Sequence, residues 1–206
     1  MDAELKGLPF PNEMIGSRAI IQGASGAGKT YAIRKILETT HGKMQHFILD
    51  VEDELFTLRE KFDYVLIGGE HADAPLGDAA ALARTLLELG VSAIIALNDL
   101  KLPEQRAFIG QFIMSMMNAP RSLWHPALVV LDESHRYAPN FGQVESSEAL
   151  VHLATSGRKR DFCDATPVTA FERHSGPVPE PHDGTRGPGV GPAHCCRRIG
   201  LRTFGR

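Results

Sequence analysis

The fold of this chain turns on one segment, Gly23-Ala24-Ser25-Gly26-Ala27-Gly28-Lys29-Thr30. Gly23, Gly26 and Gly28 keep Cβ atoms out of the turn, so successive backbone N–H groups can point inward at an anion. Lys29 brings a point charge, Thr30 a hydroxyl of the kind that meets Mg²⁺, and a following helix would add the positive end of its dipole. The flanks supply the context this GxxxxGKT pattern requires. Arg18 to Gln22 reads as a strand, and Lys29 to Thr39 reads as a helix that ends before His41-Gly42, where glycine suits a left-handed cap. Strand, glycine turn and helix in that order specify phosphate binding. They leave the base open, since nothing resembles a guanine-reading NKxD element.

Outward from this loop, apolar runs of strand length alternate with stretches of helical period. His46 to Asp50, Tyr64 to Ile67, Val91 to Leu97 and Ala127 to Leu131 read as strands. Leu55 to Lys61 reads as a short helix, and Asp78 to Leu89, Glu104 to Asn118 and Ser146 to Ser156 as longer ones, with Pro103 at a first helical position and Gly90 just past an end. Phe108, Ile109, Phe112, Ile113, Met116 and Met117 form one apolar face, which reads as core. Continuous apolar strands separated by helices imply a parallel sheet covered on both faces, an α/β domain.

The run Leu128-Val129-Val130-Leu131 ends in Asp132-Glu133. A carboxylate at the C-terminal end of a strand beside a phosphate loop can hold Mg²⁺ through water, and its neighbour can orient or deprotonate an attacking water. Asp132 is the expected metal-side carboxylate together with Thr30, and Glu133 the expected catalytic base. ATP and Mg²⁺ are the ligands this implies. His135 reads either as a contact to the terminal phosphate or as an ordinary loop histidine.

The composition sets outer bounds. The 206 residues suffice for one domain, and a formal charge of −3 offers no general pull toward nucleic acid or acidic lipid. No basic region followed by an apolar run opens the chain and no segment has bilayer-spanning length, so a cytoplasmic protein without membrane attachment is expected. Cys163 and the pair Cys195-Cys196 make an odd count, best read as reduced thiols. From Asp164 to Arg206 the chain is crowded with Gly and Pro and loses both periods, so residues 1–163 read as the domain and 164–206 as a poorly ordered tail. His174, His182, His194, Cys195 and Cys196 in that tail match no ordinary zinc spacing.

Taken together, Gly23 to Thr30, Asp50-Val51-Glu52-Asp53-Glu54, Asp132-Glu133-Ser134-His135-Arg136-Tyr137-Ala138-Pro139 and Gly157-Arg158-Lys159-Arg160 resemble the HerA/FtsK group of P-loop ATPases over roughly residues 7–163. The resemblance implies a RecA-like P-loop NTPase fold, ATP hydrolysis, a homo-oligomeric ring such as a hexamer, double-stranded DNA that is translocated or unwound, and a nuclease partner. It also implies that Arg158 and Arg160 reach a neighbouring subunit's ATP site, where a guanidinium would stabilise charge developing on the transferred phosphoryl group; a solvated basic turn is the alternative. One departure stands out. Where such proteins continue into a core strand ending in Ala-Thr-Gln-Arg, with a phosphate-sensing Gln, this chain runs Asp161-Phe162-Cys163-Asp164-Ala165-Thr166-Pro167, as though the reading frame shifted near Cys163. Three functions therefore stand open: a motor, an ATP-binding module with little turnover, and a small-molecule kinase, the last disfavoured because no arginine-rich lid is visible.

Overall fold

In a computed structural model of the protein the alternating runs assemble into an α/β architecture. Residues 18–23, 28–138, 144–169 and 196–200 are described. Among them the strands are β1 (Arg18–Gly23), β2 (Gln45–Asp50), β3 (Val65–Ile67), β4 (Ala93–Ala96), β5 (Ala127–Leu131), β6 (Phe162–Thr169) and β7 (Cys196–Gly200). The helices are α1 (Lys29–Thr40), α2 (Ala79–Leu89), α3 (Leu102–Met117) and α4 (Glu145–Ser156). One sheet carries the strands in the order β3-β4-β2-β5-β6-β1-β7, and every neighbouring pair is parallel.

The period-2 pleat divides the central strands between two cores. Phe47, Leu49, Ile95, Ala127, Val129 and Leu131 face one side, where α2, α3 and α4 cover them. Ile48, Ile94, Ala96, Leu128 and Val130 face the other, against Ile33, Ile36 and Leu37 of α1. The apolar face read on α3 is core: Ile109, Phe112, Ile113, Met116 and Met117 are fully buried and Phe108 nearly so. Each such side chain contributes about 1.5–3 kcal/mol by leaving water. Gly110 lets α3 meet α4 closely, since a Cβ there would sit 3.0 Å from the Glu145 carbonyl.

Local chemistry fixes the helix ends. Asp78 accepts from the Ala81 N–H at 2.8 Å and Gly90 closes α2 at φ 66°. Glu104 accepts from the Lys101 N–H at 2.8 Å, and Pro103 lies in the first turn of α3. The segment read as a short helix at 55–61 is a 3₁₀ turn, Phe56–Glu60. Leu55 and Leu58, both buried, are spaced by three and so stack on one side of a three-residue turn.

The largest departure from the sequence reading lies at the C-terminal side. β6 continues through Asp164 to Thr169, so the boundary drawn at 163/164 cuts a strand. β6 lies between β5 and β1, pairing Phe162 with Ala127 and Thr169 with Gly23, and β7 borders β1 on its other side. Asp164 and Pro167 concealed β6, because an acidic residue and a proline inside a central strand speak against that assignment. Residues 170–195 and 201–206, with His174, His182, His194 and Cys195, lie outside the described residues. Among the described residues no helix is long and apolar enough to cross a membrane.

Candidate active site

Parallel strands bring all their C-terminal ends to one margin of the sheet, and ligands of open α/β sheets bind outside that margin. Gly23 ends β1 there and Gly28, at φ 83° and ψ 23°, precedes α1, whose first bond runs from the Ala32 N–H to the Gly28 carbonyl at 3.0 Å. A Cβ at residue 28 would meet no atom within 4 Å, so it is the left-handed backbone and not space that calls for glycine. Ala24, Ser25, Gly26 and Ala27 lie outside the described residues.

Lys29 and Thr30 open α1 at this margin, and β5 delivers Asp132 and Glu133 to it. All four line one open cavity of about 580 Å³, together with Gly28 and three residues to which the sequence reading gave no role of their own: Glu52, Glu54 and Arg136. Thr30 Oγ1 donates to Glu54 Oε2 at 2.7 Å. Glu54 is in turn placed by Asp50 at the end of β2. The buried Asp50 carboxylate accepts from the Leu55 N–H at 2.8 Å and from the Glu54 N–H at 3.3 Å, folding 51–55 back over the strand end. Burial pushes the Asp50 pKa up, and those backbone donors pull it back only in part. Asp53, at φ 56°, completes this turn in the left-handed region.

Asp132 is nearly buried, with 8% of its surface exposed. Burial first, then the charges of Glu133, Glu54 and Asp50, raise its pKa to about 6, against the pull of the Glu133 N–H, which donates to Oδ1 at 2.8 Å. Glu133 itself sits at φ 48° and ψ 40°, a conformation costly for a side chain larger than glycine and often retained at functional sites. The 3₁₀ turn Ser134–Arg136 that follows is tied down by the Arg136 N–H on the Glu133 carbonyl at 2.9 Å. Arg106 of α3 grips the Arg136 carbonyl with two nitrogens at 3.0 and 2.8 Å. Tyr137 is fully buried, donates to Gln105 Oε1 at 2.8 Å, and receives Ser146 Oγ on its carbonyl at 2.5 Å. The guanidinium of Arg136 remains at the cavity, 2.7 Å from Glu52 Oε1. The His135 side chain lies outside the described residues.

Arg158 and Arg160 are not part of this cluster. Their 3₁₀ turn, Gly157–Arg160, precedes β6 and meets the start of β5, where the Ala127 N–H bonds the Asp161 carbonyl at 3.2 Å. The length of β5, roughly 16 Å at ~3.3 Å per residue, separates that margin from the cavity. Arg160 lies over Trp124, 5.3 Å from its centroid, and its Nε is buried without a hydrogen-bond partner. Within one chain neither arginine reaches the cavity.

The cavity's chemistry suits a hard, oxygen-bound cation only in combination with a ligand that brings its own oxygens. Among the described residues no three His, Cys, Asp or Glu side chains converge closely enough to hold a metal, whereas Thr30 and Asp132 together with phosphate oxygens would meet the way Mg²⁺ is ordinarily bound, through few protein groups and several waters. Glu52 and Glu54 could have been found from the acidic run after β2, since a parallel sheet sends the end of β2 to the same margin as the end of β5. Compared with protein-family models and with curated proteins, the chain gives no match.

Proposed function

We propose that this cavity binds Mg-ATP and hydrolyses it, and that the chain is the nucleotide-binding core of a RecA-like motor of HerA/FtsK type. One observation carries the reading: Lys29 and Thr30 from the start of α1, and Asp132 and Glu133 from the end of β5, line a single open cavity although more than a hundred residues separate them in sequence. Lys29 supplies charge to the outer phosphates. Thr30 and Asp132 would hold Mg²⁺, which when bound neutralises phosphate charge and polarises the reacting phosphoryl group. Glu133 accepts the proton of the attacking water, and its left-handed backbone and its N–H bond to Asp132 hold that carboxylate beside the metal-side acid. The strand order supports the RecA-like part of the reading, because β6 lies between β1 and β5 and so sets the start of α1 one strand away from the end of β5. Translocation along double-stranded DNA, a ring of subunits with Arg158 or Arg160 acting on a neighbour, and a nuclease partner rest on the sequence resemblance.

A second reading is favoured by one feature. β6 ends in Val168-Thr169 beside Gly23, where the resemblance calls for a phosphate-sensing Gln. A module that binds ATP and scarcely turns it over fits that substitution. Phosphate release from Mg-ATP with and without duplex DNA separates the two. For the motor, DNA accelerates release, Glu133→Gln lowers it by about 10²–10⁴ while retaining ATP, and Lys29→Ala abolishes it. Thermal stabilisation by Mg-ATP without phosphate release identifies the module, with about 2.7 kcal/mol expected at a hundred times the dissociation constant. Absence of both effects overturns the nucleotide reading.

A further inference from the structure

The cavity described above holds a cation that the roles assigned so far do not use. Among the described residues that line it, Arg136 and Lys29 are basic, set against the carboxylates of Glu52, Glu54, Asp132 and Glu133. The Arg136 main chain is immobilised from three sides, by its N–H on Glu133, by the Arg106 fork on its carbonyl and by the buried Tyr137 that follows. Its side chain, 35% exposed, is held among the described residues by Glu52, which is itself 46% exposed. A guanidinium on a rigid main chain, held at a cavity rim by one half-exposed carboxylate, can change partner by rotating its side chain without moving a loop.

Building on the nucleotide reading, we infer that Arg136 is a terminal-phosphate sensor restrained by Glu52: an incoming triphosphate replaces Glu52 as the partner of the guanidinium. The exchange is chemically favourable. An exposed Arg–Glu pair is weak, whereas a guanidinium meets phosphate oxygens through two parallel charge-assisted bonds. It also relieves an imbalance, because Arg136 then compensates phosphate charge in a cavity with an excess of carboxylates. Released Glu52 stands on the turn that Asp50 folds and that carries Glu54, the acceptor of the Thr30 hydroxyl. Occupancy of the terminal-phosphate position is thereby read out at the end of β2 as well as at β5.

The experiment is a double-mutant cycle read by calorimetric binding of Mg-ATP and Mg-ADP to the full chain, using Arg136→Ala, Glu52→Gln and the pair. Arg136→Ala is expected to weaken Mg-ATP by about tenfold or more and Mg-ADP by less than about threefold. Glu52→Gln should tighten Mg-ATP about twofold when Arg136 is present, the gain a weak exposed pair allows, and leave it unchanged when Arg136 is Ala. Arg136→Lys, which keeps the charge and loses the fork, should fall between wild type and Ala. Thermal unfolding of each variant identifies any that fails to fold, and Arg136→Lys with Glu52→Gln then completes the cycle. Equal gains from Glu52→Gln in both backgrounds, or equal losses of ATP and ADP in Arg136→Ala, overturn the sensor and leave nucleotide binding standing. A wild-type protein that binds neither nucleotide overturns the nucleotide reading and the sensor with it.

Discussion

The two margins of the sheet use polar side chains in opposite ways. At the N-terminal margin they are spent on one another: buried His46 bonds Thr40 Oγ1 at 2.9 Å and the Tyr64 hydroxyl at 2.6 Å, while Gln45 donates to the Leu86 and Val91 carbonyls at 2.8 and 2.6 Å and accepts from His125. Burial, and then the nearby His41, lower the His46 pKa to about 3, so the ring is neutral at ordinary pH. At the C-terminal margin Asp132 is almost as buried, yet carboxylates crowd it and it faces an open cavity. A paired, neutral network stabilises a fold, and buried acids gathered at a cavity work against it unless a ligand compensates them. The contrast distinguishes structural polarity from functional polarity without reference to any motif.

His46→Ala is the most disruptive single change at the N-terminal margin. It leaves the Thr40 and Tyr64 hydroxyls buried without that partner and should cost about 2–4 kcal/mol in urea unfolding, a penalty no single carboxylate substitution at the other margin should match. The same residue sets an acid limb. Its folded pKa lies below the unfolded value near 6.5, so its contribution is complete above pH 6.5 and is lost as pH falls toward about 3. Unfolding curves of the wild type at stepped pH should show that decline, and His46→Ala should flatten it.

Asp132→Asn tests the opposite margin and has the opposite sign. The Asp132 pKa is raised, so its stabilising share is complete below the unfolded value of 3.8 and is lost as pH rises through about 6. The substitution should therefore raise stability at pH 8 by on the order of 1–3 kcal/mol and change little at pH 4. Loss of stability at pH 8 would show that Asp132 is held by compensating contacts and belongs with the structural group. The smallest effect is expected from Glu52→Gln, within about 0.5 kcal/mol by thermal unfolding, because its partner Arg136 is more than a third exposed. A larger loss would make that pair a strut between the turns after β2 and β5.

Much of this was legible beforehand, and the exceptions have physical causes. β5 matches its apolar run residue for residue, and α1, α2 and α4 lie within a residue of their expected limits, α2 because Asp78 and Gly90 mark its ends chemically. Lys29, Thr30, Asp132 and Glu133 could be named because each has a motif. Glu52 and Glu54 were within reach of the same reasoning, through the acidic run at the end of β2, whereas Arg136 carries no such signal, since only the turn after Glu133 and the Arg106 grip hold it at the cavity. β6 was hidden for a different reason. Its place between β1 and β5 is settled by pairing across the sheet, against the local preferences of Asp164 and Pro167.

That placement also sets the order in which the molecule can be completed during synthesis. β1, the first in sequence of the described strands, has β6 and β7 as its sheet neighbours, and Ile20 pairs with Thr166. The β3-β4-β2-β5 block can close as soon as Leu131 has emerged, but the segment bearing the glycine turn must wait for nearly all the described chain to follow. Until then the nascent protein carries β1 undocked beside an assembled half-sheet whose open edge is β5, and a chaperone that occupies that edge would govern when the cavity comes into being.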